Sequence, residues 1–249
     1  MATELLFTWM MVLLRGIGLI MFLPTLGSRP LPVLLRVALA AMIATLLYGL
    51  VPHGMHWDTI GGIVISALGE MLLGLVMGFV GRLVFAAVDM AGRMITQEIG
   101  LIAAPGIDTP SPSTEPLAAF LSTFAGVIFF LLGGHLGALT AFVRSFEFAP
   151  AGSPAFSHMA VEYLIRGTGK LIELGFRISA PFVAMNFLTT LALSVLGRAV
   201  PKMSIFVLSA PLNALAGFLL LGGVGALLAR YLAPEFDQLP FHLLEIVAR

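Results

Sequence analysis

Long apolar stretches with almost no charge are the feature that most constrains how this chain can fold. Each is about as long as the roughly 20 residues that a helix needs to cross a bilayer. They cover residues 5–26, 37–57 (with the apolar helix expected to end at residue 51), 60–81, 117–143, 178–197 and 203–229. Four of the six contain no Asp, Glu, Lys or Arg, and the other two contain one charge each, Arg15 and Glu70. The sequence therefore predicts an all-α integral membrane protein with about six hydrophobic helices arranged as hairpins.

Composition agrees with this fold class. Of the 249 residues, 59% are hydrophobic and 10% are charged, whereas about 25% of the residues in ordinary soluble domains are charged. A soluble protein with so little charge could not cover its own surface, so the bilayer is the expected solvent. The 13 basic and 13 acidic residues cancel, and no nucleic-acid partner is indicated. Because the chain has no cysteine, disulfides, thiolate chemistry and cysteine-ligated metals are excluded.

The segment over residues 82–100 has a different pattern. Arg82, Asp89, Arg93 and Gln97 fall on one face when residues are spaced at about 100°. This pattern predicts an amphipathic helix after the third hydrophobic one. Asp89 precedes Arg93 by four residues, the order that favours an ion pair.

Charges inside or beside the apolar helices are the strongest candidates for a functional role, since an unpaired charge at membrane depth is costly. Glu173 and Arg177 can pair with each other at i,i+4. Arg15 and Glu70 have no local partner, so each is expected to face a protein interior or a water-filled path. Contacts between helices or between subunits are the favoured interpretation, and a solute path is the alternative.

No catalytic or metal-binding motif stands out. His53 and His56 with Asp58 lie in a short connection, where three ligands without a fourth are a weak metal site and a solvated turn is the favoured interpretation. His135 is a lone histidine in an apolar stretch, which is typical of a packing residue. Nucleophile-elbow, zinc-protease and nucleotide-binding motifs are absent, and the polar connection over residues 144–170 leaves little room for a soluble catalytic unit. The sequence predicts a protein that is not an enzyme and uses no cofactor or metal.

Four motifs in order resemble the FliR family of flagellar export-gate proteins and its virulence type III secretion counterparts. They are Arg15 followed by "LPTLGSRPLPVLLRVALA", then "GEMLLGLVMGFVGRLVFAAVDMAGRMITQEIGL", "LLGGHLGALTAFVRSFEFAPAG" and "LGRAVPKMSIFVLSAPL". Together they span most of the chain at the spacing of the family. The chain departs from the family pattern at Asp108-Thr109-Pro110, where Asp-Pro is usual, and at Asn213, where many relatives carry Lys or Thr.

This resemblance implies a place in a larger assembly. Members of the family join FliP-like and FliQ-like subunits, work beside FlhB-like and FlhA-like proteins, and help to form a pore for unfolded export substrates in the bacterial inner membrane. It also implies one domain with a FliP-like part over residues 1–170 and a FliQ-like hairpin part over residues 171–249. Arg198, Pro201 and Lys202 form a loop that the resemblance and the positive-inside rule both place at the cytoplasmic face.

The segment "GLIAAPGIDTPSPSTEP" interrupts the apolar pattern with four prolines and two carboxylates over residues 100–116. Lipid cannot satisfy polar backbone groups, so a loop of this kind at membrane depth must be surrounded by protein or water. The resemblance implies that this central loop plugs the pore, whereas an ordinary solvated connector would have the same proline pattern. The implied plug residues are Leu101, Ile102, Pro105, Gly106, Ile107, Asp108 and Pro110.

Two alternatives from other functional classes stay open at this stage. One is a small secondary transporter or carrier subunit in which Arg15 and Glu70 line a solute path. The other is a purely structural membrane scaffold. Uptake into liposomes by this chain alone would favour the transporter, and copurification with FliP-like and FliQ-like proteins would favour the export gate.

Overall fold

A computed structural model describes residues 2–22, 32–52, 59–101, 116–199 and 205–247. Of these residues 87% are helical, and no β-strand is found among them. The helices are α1 (Ala2–Phe22), α2 (Val33–Leu47), α3 (Ile60–Ile99), α4 (Pro116–Leu131), α5 (Gly134–Phe148), α6 (Ala160–Ala199), α7 (Ile205–Leu221) and α8 (Val224–Glu245). The predicted all-α membrane fold is therefore confirmed.

Two of the helices, α3 and α6, are far longer than the sequence suggested. The third hydrophobic helix and the amphipathic segment form one helix of 40 residues, without a boundary at Gly81. A single glycine inside a helix costs only about 1 kcal/mol, which is too little to end a helix that packs along its whole length. α6 also has 40 residues and begins at Ala160. The polar connection expected over residues 144–170 is therefore reduced to the short segment between α5 and α6.

Two apolar stretches expected as single helices are each broken at a Leu-Gly-Gly sequence. Residues 117–143 contribute to α4 and α5, which meet at 65°, and residues 203–229 contribute to α7 and α8, which meet at 53°. The breaks fall beside Gly133 and at Gly222-Gly223. Gly133 has a φ of 72°, in the left-handed region that glycine adopts without steric cost. No charged residue lies near either break within the predicted stretches, so the charge-free pattern runs across it.

The number of helices able to cross a membrane also differs from the expected six. In the part of the chain that the structure describes, Glu4–Phe22, Ile60–Ile99 and Ala160–Ala199 are long and apolar enough. The two bent pairs raise the number to five if each pair makes one crossing. α2 has 15 residues, which is shorter than the roughly 20 residues of a crossing.

Helix α1 packs closely against the first half of α3. Arg15 lies beside Gly74 and Leu19 beside Gly78, so the two helices run parallel. A Cβ at Gly78 would lie 2.6 Å from the carbonyl oxygen of Leu19. Glycine at such positions lets two membrane helices approach until their backbones touch. The glycine pattern of α3 thus serves packing within this chain.

Helices α3, α4 and α8 share an aromatic core. The rings of Phe85, Phe129 and Phe236 contact one another with centroids 5.2 to 5.6 Å apart. α8 runs antiparallel to α6, to which it is joined by an ion pair of 2.8 Å between Lys170 and Glu235. These contacts fix α8 against the charged first half of α6 and the middle of α3.

The apolar halves of α3 and α6 lie at different levels. The two helices run parallel, with Gly175 beside Ala87 and Asn186 bonded to Glu98. The centre of the charge-free half of α6 is therefore level with the end of α3, about 30 residues beyond Glu70. At about 1.5 Å per residue the two apolar halves are centred roughly 40 Å apart, more than the ~30 Å hydrocarbon thickness of a bilayer. They cannot both be centred in one flat bilayer, so at least one of them needs a covering of protein.

Candidate functional site

Arg15 of α1 and Glu70 of α3 form a fully buried ion pair. Both side chains are 0% exposed, and Nε of Arg15 lies 2.5 Å from Oε2 of Glu70. The Nη1 atom of Arg15 donates to Oγ of Ser145 at 2.9 Å, and Nη2 donates to the carbonyl oxygen of Ala149 at 2.9 Å. The N–H group of Gly152 donates to Oε1 of Glu70 at 2.8 Å. Both charges are thus paired and hydrogen-bonded, as a buried pair requires.

The surroundings of this pair hold it in place. The guanidinium of Arg15 lies 3.9 Å from the centroid of the Phe146 ring, a cation–π contact. Ser145 donates in turn to the carbonyl oxygen of Phe142 at 2.7 Å. A Cβ at Gly74 would overlap with the backbone carbonyl of Arg15, so this glycine sets the separation of α1 and α3. The pair joins α1, α3 and α5 and faces no solvent, a geometry that does not favour a solute path.

The other predicted polar contacts have different surroundings. Asp89 accepts a hydrogen bond from Ser122 of α4, whereas Arg93 is exposed. No ion pair between Asp89 and Arg93 is found among the described residues. Glu173 and Arg177 form the expected i,i+4 ion pair at 2.5 Å, with both side chains more than half exposed. This pair lies on the outer face of α6 rather than between helices.

No metal site is found at the histidines that the structure describes. His135 packs against the ring of Phe130, with centroids 5.0 Å apart. His53, His56 and Asp58 lie outside the described residues. No group of three His, Asp or Glu side chains suited to a metal ion occurs in the described part of the chain.

Most of the predicted plug residues also lie outside the described part of the chain. Leu101 is described, and its side chain is 43% exposed. Arg198 is exposed near the end of α6. The positions that the structure does not describe are Ile102, Pro105, Gly106, Ile107, Asp108, Pro110, Pro201 and Lys202.

Both ends of the central loop are attached to α3. α3 stops at Gly100, whose φ is 80°, and the N–H group of Leu101 donates to the carbonyl oxygen of Thr96 at 3.1 Å. These are the features of a Schellman helix end. On the other side of the loop, Ala118 in the first turn of α4 packs against Gly92. The loop therefore leaves and rejoins the same helix within about two turns.

A polar network that was not predicted joins α3, α6 and α7. Nδ2 of Asn186 donates to Oε2 of Glu98 at 2.5 Å. Nδ2 of Asn213 donates to Oδ1 of Asn186 at 3.1 Å, and Oγ1 of Thr189 donates to Oδ1 of Asn213 at 2.5 Å. Asparagine in a charge-free apolar stretch was the available signal, because such side chains bond across helices in membranes.

Comparison of the sequence with known proteins places this chain in a family. The sequence profile described as bacterial export proteins, family 1, matches residues 6–239. The chain is 29% identical to the flagellar biosynthetic protein FliR of Escherichia coli K12 over 233 residues, covering 93% of this chain and 89% of the relative. It is 27% identical to FliR of Bacillus subtilis 168 over 217 residues, covering 86% and 84%. It is 28% identical to the Yop proteins translocation protein T of Yersinia pestis over 224 residues, covering 87% and 85%. The chain belongs to the bacterial export proteins, family 1.

Proposed function

We propose that this chain is an integral membrane subunit of a type III protein export apparatus and helps to form the pore through which unfolded proteins are secreted. Relatives in both flagellar biosynthesis and Yop protein translocation support this role. FliR relatives from several bacteria favour a flagellar apparatus, in the basal body of the bacterial inner membrane. Its partners would be FliP-like, FliQ-like, FlhB-like and FlhA-like subunits.

The observation that carries the proposal is the offset of the two apolar halves by more than one bilayer thickness. Large apolar side chains are exposed on both halves, with Ile65 of α3 at 73% and Phe187 of α6 at 67%. Since lipid can cover only one of the two levels, neighbouring protein subunits must cover the other. A protein that works as a single subunit has no reason to carry such an offset.

The same proposal gives the chain two parts. The FliP-like part covers residues 1–170 and the FliQ-like hairpin part covers residues 171–249. α6 runs from Ala160 to Ala199, so a continuous helix rather than a linker joins the parts. Arg198, next to the end of that helix, would face the cytoplasm together with Pro201 and Lys202.

Assembly with partners is the first test. Expressed alone, the chain should aggregate or be degraded, because one apolar level stays uncovered. Coexpressed with FliP-like and FliQ-like proteins, it should migrate in a single larger complex during size-exclusion chromatography in detergent. A monodisperse monomer whose yield and thermal stability do not change on coexpression would contradict the proposal.

The central loop is proposed to be the plug of the pore. Deleting residues 102–111 should leave assembly largely intact, because the loop leaves and rejoins α3. Residue 101 and Pro116 lie roughly 15 Å apart when the rise along α3 and the spacing between α3 and α4 are combined. The four residues that remain after the deletion can bridge about 17 Å. The membrane should become leaky to ions, measured as conductance in bilayers that contain the whole coexpressed complex.

The control for this deletion is Ser194→Ala, because Oγ of Ser194 donates within α6, to the carbonyl oxygen of Thr190 at 2.8 Å. Bilayers that contain the complex with this variant should conduct ions no more than bilayers with the parent complex. If the assembled deletion variant shows the same low conductance as the parent, residues 102–111 belong to a connector and the plug lies elsewhere.

A further inference from the structure

The second half of α6 and α7 form a hairpin that projects beyond the end of α3. This α6–α7 hairpin consists of residues 182–199 and 205–221. Its outer faces are strongly exposed, with Phe187 at 67% and Leu215 at 62%. Asn186 of the hairpin is hydrogen-bonded to Glu98 in the last turn of α3.

Both helices of the α6–α7 hairpin are weakened at the same level, α6 within its length and α7 at its end. Pro181 lies inside α6, where it removes one helical hydrogen bond and crowds the preceding turn. The contact between Thr189 and Asn213 sets the register of the antiparallel pair. Pro181 precedes Thr189 by as many residues as Leu221, the last residue of α7, follows Asn213. The proline in α6 therefore lies level with the Gly222-Gly223 break, and the two together form a hinge line.

Beyond this hinge, the described residues of the hairpin are hydrogen-bonded to α3 through Glu98. The latch is defined as the hydrogen bonds from Asn186 to Glu98 and from Asn213 to Asn186. Beside the latch, the side chain of Ile99 fits where a Cβ at Gly217 would lie. Two asparagines and a carboxylate in apolar helices give a directional contact that a sliding or tilting hairpin loses at once.

We propose that the α6–α7 hairpin is a hinged unit, held closed on α3 by the latch and released by rotation about Pro181 and Gly222-Gly223. We further propose that this release accompanies protein export, a step that rests on the proposed function. Glu98 and Asn186 are then positioning residues. They set the place of the hairpin without touching a substrate themselves.

A cysteine pair reports the latched position directly. The chain has no cysteine, and a Cβ at Gly217 would overlap with Cγ1 of Ile99. The Cβ atom of residue 99 is one bond further away, so the two Cβ positions lie at most about 4 Å apart, within the range of a disulfide. The double variant Ile99→Cys, Gly217→Cys is coexpressed with the partner subunits, and disulfide formation in the assembled complex is timed after mild oxidation. Rapid formation is expected. A pair that never crosslinks in the assembled complex would overturn the latched position.

The latch and the hinge are then tested within this cysteine pair. Asn186→Leu removes both hydrogen bonds of the latch and should slow crosslinking by at least about fivefold, the effect expected from losing even one net hydrogen bond. Glu98→Gln keeps the acceptor oxygen and should crosslink like the parent, as should the control Ser194→Ala. Adding Pro181→Ala to Asn186→Leu should restore crosslinking to within about twofold of the parent, because a stiff α6 keeps the hairpin in place.

Each result decides one part of the proposal. Parent-like crosslinking in Asn186→Leu overturns the latch, and slow crosslinking that Pro181→Ala does not restore overturns the hinge. Secretion by cells that carry the oxidised cysteine pair should fall at least about tenfold and recover on reduction. Undiminished secretion with the pair fully crosslinked would show that export does not need the movement. Because crosslinking is read without secretion, a failure of the proposed export function leaves the latch and the hinge testable.

Discussion

Replacing Glu70 with alanine should be among the most damaging single substitutions in this chain. The change leaves the guanidinium of Arg15 buried without its carboxylate and leaves the N–H group of Gly152 without its acceptor. Breaking a buried ion pair costs about 3–5 kcal/mol, a large part of the ~5–15 kcal/mol that stabilises a typical protein. We expect little assembled complex and a much lower thermal unfolding midpoint, measured by static light scattering of the detergent-purified complex.

Two comparisons separate this effect from a general sensitivity to charge removal. Glu173→Ala breaks an ion pair that is more than half exposed and should change stability by less than about 1 kcal/mol. The double variant Arg15→Met, Glu70→Leu removes both buried charges and should recover most of the lost stability. If Glu70→Ala and Glu173→Ala behave alike, the buried pair is not a determinant of stability.

Physical reasoning from the sequence predicted that Arg15 and Glu70 avoid lipid, but could not predict that they meet. The residues are 55 positions apart, and nothing in the local sequence of either one identifies the other. Their pairing depends on the close approach of α1 and α3 and on the path of the chain after α5. Both are properties of tertiary packing rather than of periodicity.

Local rules failed where a neighbouring helix offered a competing partner. The i,i+4 spacing favoured an ion pair between Asp89 and Arg93, but Ser122 of α4 donates to Asp89 instead. Glu173 and Arg177 show the opposite case, since none of the described helices competes on that exposed face and the local pair forms. A local sequence pattern predicts a contact well only where no neighbouring helix offers the same residues another partner.

Helix boundaries were the least predictable part of the fold. The charge-free pattern located the apolar segments but not the breaks at Gly133 and at Gly222-Gly223, because no charged residue interrupts residues 117–143 or 203–229. It also suggested an end at Gly81 where charges begin, although α3 continues. Whether a glycine ends a helix depends on what packs against it, and that information is not in the local sequence.

Packing at glycine leads to the second large expected effect, at Gly74. A Cβ at this position would overlap with the backbone carbonyl of Arg15, and a backbone atom cannot rotate away as the end of a side chain can. On the opposite helix, a Cβ at Gly18 would lie 2.6 Å from the carbonyl oxygen of Met71. Any side chain at Gly74 must therefore push α1 away from α3 and stretch the contact between Arg15 and Glu70.

Gly74→Val should accordingly prevent accumulation of the assembled complex, and Gly74→Ala should lower its thermal unfolding midpoint markedly. Overpacking alone costs about 1–3 kcal/mol, and displacement of the buried ion pair adds to it. Gly81→Ala is the matched control, since it lies two turns further along α3 and has open space where its Cβ would lie. That control should be neutral or stabilising by up to about 1 kcal/mol, because alanine favours helix more than glycine does. Equal midpoints for Gly74→Ala and Gly81→Ala would mean that α1 and α3 can separate freely, and that Arg15 and Glu70 keep their contact without the glycine between them.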